Sequence, residues 1–459
     1  MELDIAANND TTSVGSYFVA NYPPFSAWSP ESVPDAVSAL DRPPQNTDTP
    51  DPPPLGLYMH IPFCRKRCKF CYYRVYTDKN AADVDTYTDA LAHEVALYAQ
   101  KRALTGRQFD FVYFGGGTPS FLSIDQLNRL IDRIRKHWSW DTAREVTFEC
   151  EPGTLRKRKL AAIKAIGVTR LSLGVEHFDD DILQVNGRAH KSPEIFRAYN
   201  WAREVDFDQI NIDLIAGMVG ETDDKWNQTL DRAVELDPDS VTIYQMELPH
   251  NTVLSRHAAA TGTPAPVADW DTKRRWVDHA INRFEAAGYQ TSGAYTLVKN
   301  ARTRPDNPTT PADKPAPHGT FIYRDALWHG ADMIGTGVAS FSHLAGVHFQ
   351  NVDGWDDYVQ TIARGDLPLG RALSMSARQR LIRETILLLK TGTLSAAHFR
   401  DKFRVDLTDE FAEPIQHLVD GGFATVQHRD IHLTRRGLLR VDALLPEFFE
   451  PRFRGVRYT

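Results

Sequence analysis

Cysteine is scarce in this chain. Only four occur among 459 residues, Cys64, Cys68, Cys71 and Cys150, and three of them fall between positions 64 and 71. A disulfide scaffold would spread its cysteines along the chain, and a reducing cytosol disfavours disulfides in any case. Clustered thiols in such a chain read as metal ligands. Long apolar runs are also missing: none approaches the ~20 residues that a bilayer-spanning helix needs. Excess positive charge is absent, since the formal net charge is −7, which favours neither nucleic acid nor an anionic membrane as partner. The opening MELDIAANNDTTS has neither the basic nor the apolar region of a secretory signal. These absences lead to the expectation of a cytoplasmic protein with no membrane span and no nucleic-acid partner.

What is present is a repeating pattern. Two proline-rich stretches, residues 41–56 and 302–319, cannot sustain a helix or a central strand and read as linkers or surface loops. Between them lie short apolar runs at 57–61, 111–115, 146–150, 170–175, 210–217 and 241–246. The segments between the runs carry helical periodicity, as from Asp83 to Gln100 and from Ile124 to Trp138. Strand–helix units in series imply a parallel sheet with helices outside it, an open or closed α/β barrel. In such barrels the site gathers at the C-terminal ends of the strands. The chain then divides into an N-terminal arm and linker (1–54), the barrel core (55–300), a connecting region at the substrate mouth (301–373) and a C-terminal domain (374–459). That last part combines amphipathic helices, SARQRLIRETILLLK and 407–422, with a hairpin at 423–434. It is winged-helix-like and, not being basic, suits packing or substrate capping better than DNA binding.

The chemistry is concentrated in HIPFCRKRCKFCYYRVY, residues 60–76, with the spacing C-x3-C-x2-C. Three thiolates can hold three irons of a cubane 4Fe–4S cluster, which leaves the fourth iron open to an exogenous chelate. Free structural thiols are one alternative, and zinc, with His60 as a fourth ligand, is another. Arg65, Lys66, Arg67 and Lys69 lie among the cysteines, either offsetting thiolate charge or forming a solvated basic loop. Cys150 reads as a small core residue.

With Phe70 before the last cysteine, this spacing resembles the radical S-adenosylmethionine (SAM) superfamily. The longer string Tyr58-x-His60-Ile61-Pro62-Phe63-Cys64 resembles its oxygen-independent coproporphyrinogen III oxidase-like family, which includes heme chaperones and class C radical SAM methyltransferases. The resemblance covers roughly residues 55–350. It implies a partial (β/α)6 radical SAM barrel, a 4Fe–4S cluster on Cys64, Cys68 and Cys71, one or two SAM molecules, and an electron donor such as flavodoxin or ferredoxin. Reductive cleavage of SAM would yield a 5′-deoxyadenosyl radical that abstracts hydrogen from a small-molecule substrate.

By the same resemblance, Gly115-Gly116-Gly117-Thr118-Pro119 would receive the SAM ammonium group on its backbone. Tyr58 and Phe70 would pack at the cofactor, and Tyr58 and Glu149 are the candidate catalytic residues. Arg188 would pair with the SAM carboxylate, and Asp213 would bind the ribose or a second SAM. Glu176 stands where the family usually has Gln. Tyr244-Gln245, with Leu248-Pro249-x-Asn251-Thr252, resembles the sixth strand of the heme chaperones, and Tyr323, Trp328 and the run from Gly335 to Phe341 resemble the region that lines the substrate mouth. The aromatic arm SYFVANYPPFSAW, residues 16–28, resembles a lid over the active site, or is an arm packed on the core. One departure bears on the reaction: the oxidases typically carry a further cysteine two positions after the last ligand, and this chain has Tyr73 there. Three functions follow as expectations: a radical SAM oxidoreductase acting on an organic substrate such as a tetrapyrrole, a two-SAM methyltransferase or cyclopropanase, and a heme-binding chaperone.

Overall fold

The computed structural model describes residues 18–44, 52–299 and 320–456. The second proline-rich stretch lies outside the described residues, as do residues 45–51 of the first. Six parallel strands form the core: β1 (Leu55–Ile61), β2 (Phe109–Gly116), β3 (Glu145–Cys150), β4 (Arg170–Glu176), β5 (Gln209–Ala216) and β6 (Ser240–Gln245). Alternation along each strand separates two faces. Leu57, Met59, Val112, Phe114, Val146, Phe148, Leu171, Leu173, Ile210 and Ile212 turn outward into one hydrophobic core shared with the covering helices. The alternate residues, Tyr58, Tyr113, Thr147, Glu149, Ser172, Asn211 and Asp213, are polar and face the lumen. The barrel is therefore apolar outside and polar within.

The sheet continues past both edges of this unit. β7 (Tyr289–Thr291) and β8 (Thr296–Lys299) extend it beyond β6, and β9 (Asp332–Thr336) pairs parallel to β1. β10 (Phe341–Leu344), β11 (Val347–Asn351) and β12 (Leu369–Ser374) then run antiparallel. The order β12-β11-β10-β9-β1-β2-β3-β4-β5-β6-β8-β7 leaves β1 and β6 unpaired with each other, so the barrel is open. The run from Gly335 to Phe341 thus spans the end of β9, the turn after it and the first residue of β10 in the main sheet. The C-terminal part has its own hydrophobic core, built on helix Ala377–Leu389 and a small sheet of β13 (Thr393–Leu394), β15 (Asp430–Leu433) and β14 (Ala424–Gln427). The expected hairpin is there, and its two turn residues, His428 and Arg429, both take positive φ, as a type I′ turn requires. The single helix expected over 407–422 is two, Leu407–Glu410 and Ala412–Asp420, because Phe411 between them leaves helical geometry at φ −122° and ψ 38°.

The described part of the N-terminal arm is packed on the core. Phe25 stacks on Phe341 with ring centroids 4.9 Å apart, and Trp28 stacks on His348 at 5.0 Å. Tyr22 meets Phe449 at 5.0 Å, and Arg383 donates to Ala20 O at 2.8 Å. The arm thereby joins β10 and β11 to the C-terminal domain. A lid role for residues 16 and 17 lies outside the described residues.

A buried carboxylate ties the barrel to its extension. Glu94, on helix Ala81–Ala99, accepts hydrogen bonds from Tyr358 Oη (2.6 Å), Gly337 N (2.7 Å) and Asn351 Nδ2 (2.6 Å). Burial pushes its pKa up to about 7 despite these donors. Glu94→Ala strands Tyr358 Oη and Gly337 N, while Asn351 Nδ2 keeps Gly337 O at 2.8 Å, and each buried donor left unpaired costs about 1–3 kcal/mol. Relief from burying the carboxylate offsets part of that. The variant is expected to lose about 3 kcal/mol of unfolding free energy, measured by urea denaturation. An unchanged midpoint would contradict the role.

Candidate functional site

The cysteine loop leaves β1 at its C-terminal end and is closed on itself. Cys64 N donates to Tyr76 O (3.0 Å) and Tyr76 N to Pro62 O (2.7 Å). Lys69 N donates to Asn186 O (3.0 Å), and Leu254 N donates to Lys69 O (3.2 Å), which fasten the loop over β4 and β6. Cys64, Cys68 and Cys71 are half-buried and close enough to act electrostatically on one another. Burial pushes the Cys64 thiol up to about 11 and the Cys71 thiol up to about 12. Cys64 Sγ lies 3.4 Å from Thr118 Oγ1, and Cys68 Sγ accepts from Arg188 Nη1 at 3.3 Å. Cys150 is buried in the main core on the outward face of β3, away from the loop.

His60 does not turn toward the thiols. Its Nδ1 lies 3.1 Å from Tyr58 Oη and its Nε2 3.3 Å from Arg74 O, and burial lowers its pKa to about 4, so it is a neutral structural ring. Among the described residues no three His, Cys, Asp or Glu side chains gather for a single metal ion. A cubane is gripped at its corners, so its thiolates stand farther apart than those around one ion. Arg65 is engaged away from the thiols: its Nε and Nη2 fork onto Glu151 at 3.0 Å each, and His190 Nδ1 lies 3.0 Å from the same carboxylate. Burial works against ionisation there, but His190 and Arg65 outweigh it and hold Glu151 at about 2.

The glycine turn is shaped by close approach. Gly116 has φ +109°, and a Cβ on it would meet the His60 ring at 2.4 Å; one on Gly117 would meet Pro62 C at 2.8 Å. The end of β2 can thus lie directly beside the start of the cysteine loop. Gly116 N donates to Glu149 Oε2 (3.1 Å), and Tyr113 Oη donates to Glu149 Oε1 (2.6 Å). Across the lumen, Asp213 accepts from Ser172 Oγ and Asn211 Nδ2, each at 3.0 Å. Glu176, at φ +64°, lies 3.4 Å from Arg188, whose Nη2 also donates to Gly174 O at 2.7 Å.

Glu149, Glu176 and Asp213 are half-buried and close enough that Asp213 acts on both glutamates. Burial, with mutual repulsion through Asp213, pushes Glu149 and Glu176 to about 7 each. Arg188 and Arg170 offset only part of that charge, and a sulfonium with an ammonium group would offset more of it. Arg188 Nε is buried with no hydrogen-bond partner, which leaves a donor for an anionic group. The donor set fits a cluster beside a zwitterionic sulfonium ligand.

Sequence reasoning missed three supporting groups. Tyr113 holds Glu149. Arg170, buried in the lumen 4.0 Å over the Phe321 ring, counters the carboxylates. Glu145 accepts from Ile322 N (2.9 Å) and Tyr323 N (3.1 Å), anchoring the segment that closes the barrel floor. Tyr323 then stands 4.4 Å from Tyr113, and Tyr113 stacks on Tyr58 at 5.9 Å. Phe70 packs on Ile182, Ile215, Met218 and Met246.

An open parallel barrel carrying a three-cysteine loop beyond β1 is the architecture of radical SAM proteins, and residues 58–233 match the Radical SAM superfamily. The chain is 28% identical over 393 residues to an oxygen-independent coproporphyrinogen III oxidase of Escherichia coli, covering 84% of each. It is 30% identical over 318 residues to the heme chaperone HemW of Mycobacterium tuberculosis, covering 69% of this chain and 76% of that one. The solved structure of the coproporphyrinogen III oxidase of Escherichia coli, a radical SAM enzyme, superposes with a TM-score of 0.76 at 25% identity, covering 98% of this chain and 99% of that one. The protein belongs to the oxygen-independent coproporphyrinogen III oxidase-like family of the radical SAM superfamily. Membership implies a 4Fe–4S cluster and SAM. No helix among the described residues is long and apolar enough to cross a membrane.

Proposed function

We propose that the protein is a radical SAM oxidoreductase acting on a tetrapyrrole. The carrying observation is the convergence of the cysteine loop with three half-buried carboxylates and one guanidinium at the strand C-termini. The tetrapyrrole is supported by the two kinds of relative, one named for coproporphyrinogen and one for heme. Cys64, Cys68 and Cys71 would hold the cluster. Gly115, Gly116, Gly117, Thr118, Tyr58, Phe70, Glu149, Glu176, Arg188 and Asp213 would hold SAM. When bound, the pair supplies one-electron cleavage of a carbon–sulfur bond and hydrogen abstraction.

The chain's own groups orient and insulate. Arg188 reaches Cys68, Gly174 O and Glu176 at once, so it fixes the loop relative to β4. Tyr58, Tyr113 and Tyr323 wall the lumen and exclude water. Glu149 and Glu176 take up or release a proton near neutrality according to the charge placed between them. An ionised Glu149 favours the cationic cofactor, so SAM affinity should rise as pH rises through about 7. Tyr113→Phe removes a donor that favours ionised Glu149, and it should move this rise to higher pH. SAM dissociation constants measured from pH 6 to 9 test it, and a profile that Tyr113→Phe leaves in place would contradict it.

A heme-carrying function is the second reading, favoured by the 30% identity to HemW and by Tyr73 at the extra cysteine's position. Anaerobic reconstitution with iron and sulfide, then SAM, dithionite and coproporphyrinogen III, separates the readings. The oxidoreductase releases 5′-deoxyadenosine and carbon dioxide. S-Adenosylhomocysteine with labelled methyl carbon on the substrate would mark a methyltransferase. Tight heme binding with no 5′-deoxyadenosine would replace catalysis by carriage.

A further inference from the structure

Lys273 is a buried cation that nothing described so far uses. It stands in the first turn of helix Trp270–Ala286 and is 4% exposed. Two features make this an unfavourable place for an ammonium group. Burial strips its water, and the positive end of the helix dipole adds repulsion. Glu247 and Asp269 attract it and Arg274 repels it, yet burial still lowers its pKa to about 8. The Nζ makes no hydrogen bond or ion pair among the described residues and rests 4.3 Å from the Trp270 ring centroid. Attraction by Glu247 and Asp269 does not outweigh the burial, so a further anion beside the amine would be stabilising.

The side chain is placed at the barrel mouth. Its stem occupies the space a side chain at Gly217 would take: a Cβ there would meet Lys273 Cγ and Cε at 2.7 Å each. Gly217 directly follows the C-terminal end of β5, the strand that carries Asp213 into the lumen. Ala268 N donates to Gly217 O (3.4 Å), which stitches the start of the helix onto that strand end. Beside it lies an apolar shelf of Ile215, Met218 and Met246, edged by half-buried Phe70, Leu248 and Val267. Phe70 sits within the cysteine loop itself, so shelf and cluster loop share one opening.

We propose that Lys273 receives a carboxylate of the substrate while the shelf takes the apolar ring that bears it. The proposal rests on the tetrapyrrole reading above and adds to it the residue that selects acid-bearing rings. A carboxylate on Lys273 adds to the charge pairing and gives the amine a hydrogen-bond acceptor. A cation without a shelf would bind any anion, and a shelf without a cation would accept the ring whatever its substituents.

The test compares coproporphyrin III with its tetramethyl ester, which keeps the ring and removes the charges. Binding to the reconstituted full-length protein is followed by porphyrin fluorescence in one dilute detergent. The parent should hold the acid at least about tenfold more tightly than the ester, the scale of one hydrogen bond to a charged group. Lys273→Met should weaken acid binding about tenfold and move ester binding less than about twofold. Lys273→Arg should retain most of the preference. Thermal unfolding checks the fold of each variant, and Lys273→Gln replaces the methionine variant if that one fails to fold. Equal binding of acid and ester by the parent, or an acid preference that survives Lys273→Met, overturns the role of Lys273 and leaves the tetrapyrrole reading standing. If the parent binds neither porphyrin, the tetrapyrrole reading fails and the inference falls with it.

Discussion

Alanine at Cys64, Cys68 or Cys71 is expected to abolish the iron–sulfur charge-transfer absorbance of the reconstituted protein, and SAM cleavage should fall at least about a thousandfold, the scale on which removal of an essential group is felt. Each thiol comes from a different part of one closed loop, with Cys64 held against Thr118 and Cys68 under Arg188. No other cysteine can take over, because Cys150 lies buried in the core on the outward face of β3. Cys150→Ala should therefore keep the absorbance and cost only packing, about 1–2 kcal/mol of stability. Iron and sulfide content with 5′-deoxyadenosine yield measure both halves. A loop variant that keeps full cluster absorbance, or a Cys150→Ala protein without it, would contradict the assignment.

Arg188→Met is expected to weaken SAM binding by about tenfold to a hundredfold, since a hydrogen bond to a charged group is worth about 1.5–3 kcal/mol. The guanidinium serves three acceptors at once, Cys68 Sγ, Gly174 O and Glu176, and keeps a buried Nε without a partner. Its removal leaves Glu176 buried with no cation beside it, so that carboxyl should stay protonated beyond its present value of about 7. Arg188→Lys should recover only part of the loss, because a point charge cannot fork across three acceptors. Equilibrium dialysis with labelled SAM measures the change, and parental affinity in Arg188→Met would contradict the proposed role.

Local signals were legible in the sequence where local physics decides. Apolar runs marked β1 to β6 to within two residues at each end, because strands covered by helices need outward side chains like Leu171 and Leu173. The spacing of Cys64, Cys68 and Cys71 was legible because one loop carries all three. The supporting shell was not, because its partners are far apart in the chain. Tyr113 and Glu149 are separated by 36 residues, Arg65 and Glu151 by 86, and Glu94 and Asn351 by 257. No period or spacing announces such pairs. Arg170 only opens an apolar run in the sequence, yet it is buried against Phe321. β9 to β12 were hidden for another reason. Their residues are short, mixed runs such as Phe341–Leu344, and they become strands by adding to the free edge at β1.

Radical chemistry in this protein depends on a cluster held by three thiolates with one iron open to SAM. Electron paramagnetic resonance of the reduced, anaerobically reconstituted protein, recorded with and without SAM, tests this most directly. A cubane signal whose g-values shift when SAM is added is the predicted result. A cubane signal indifferent to SAM, or a fourth protein ligand already on that iron, would contradict it.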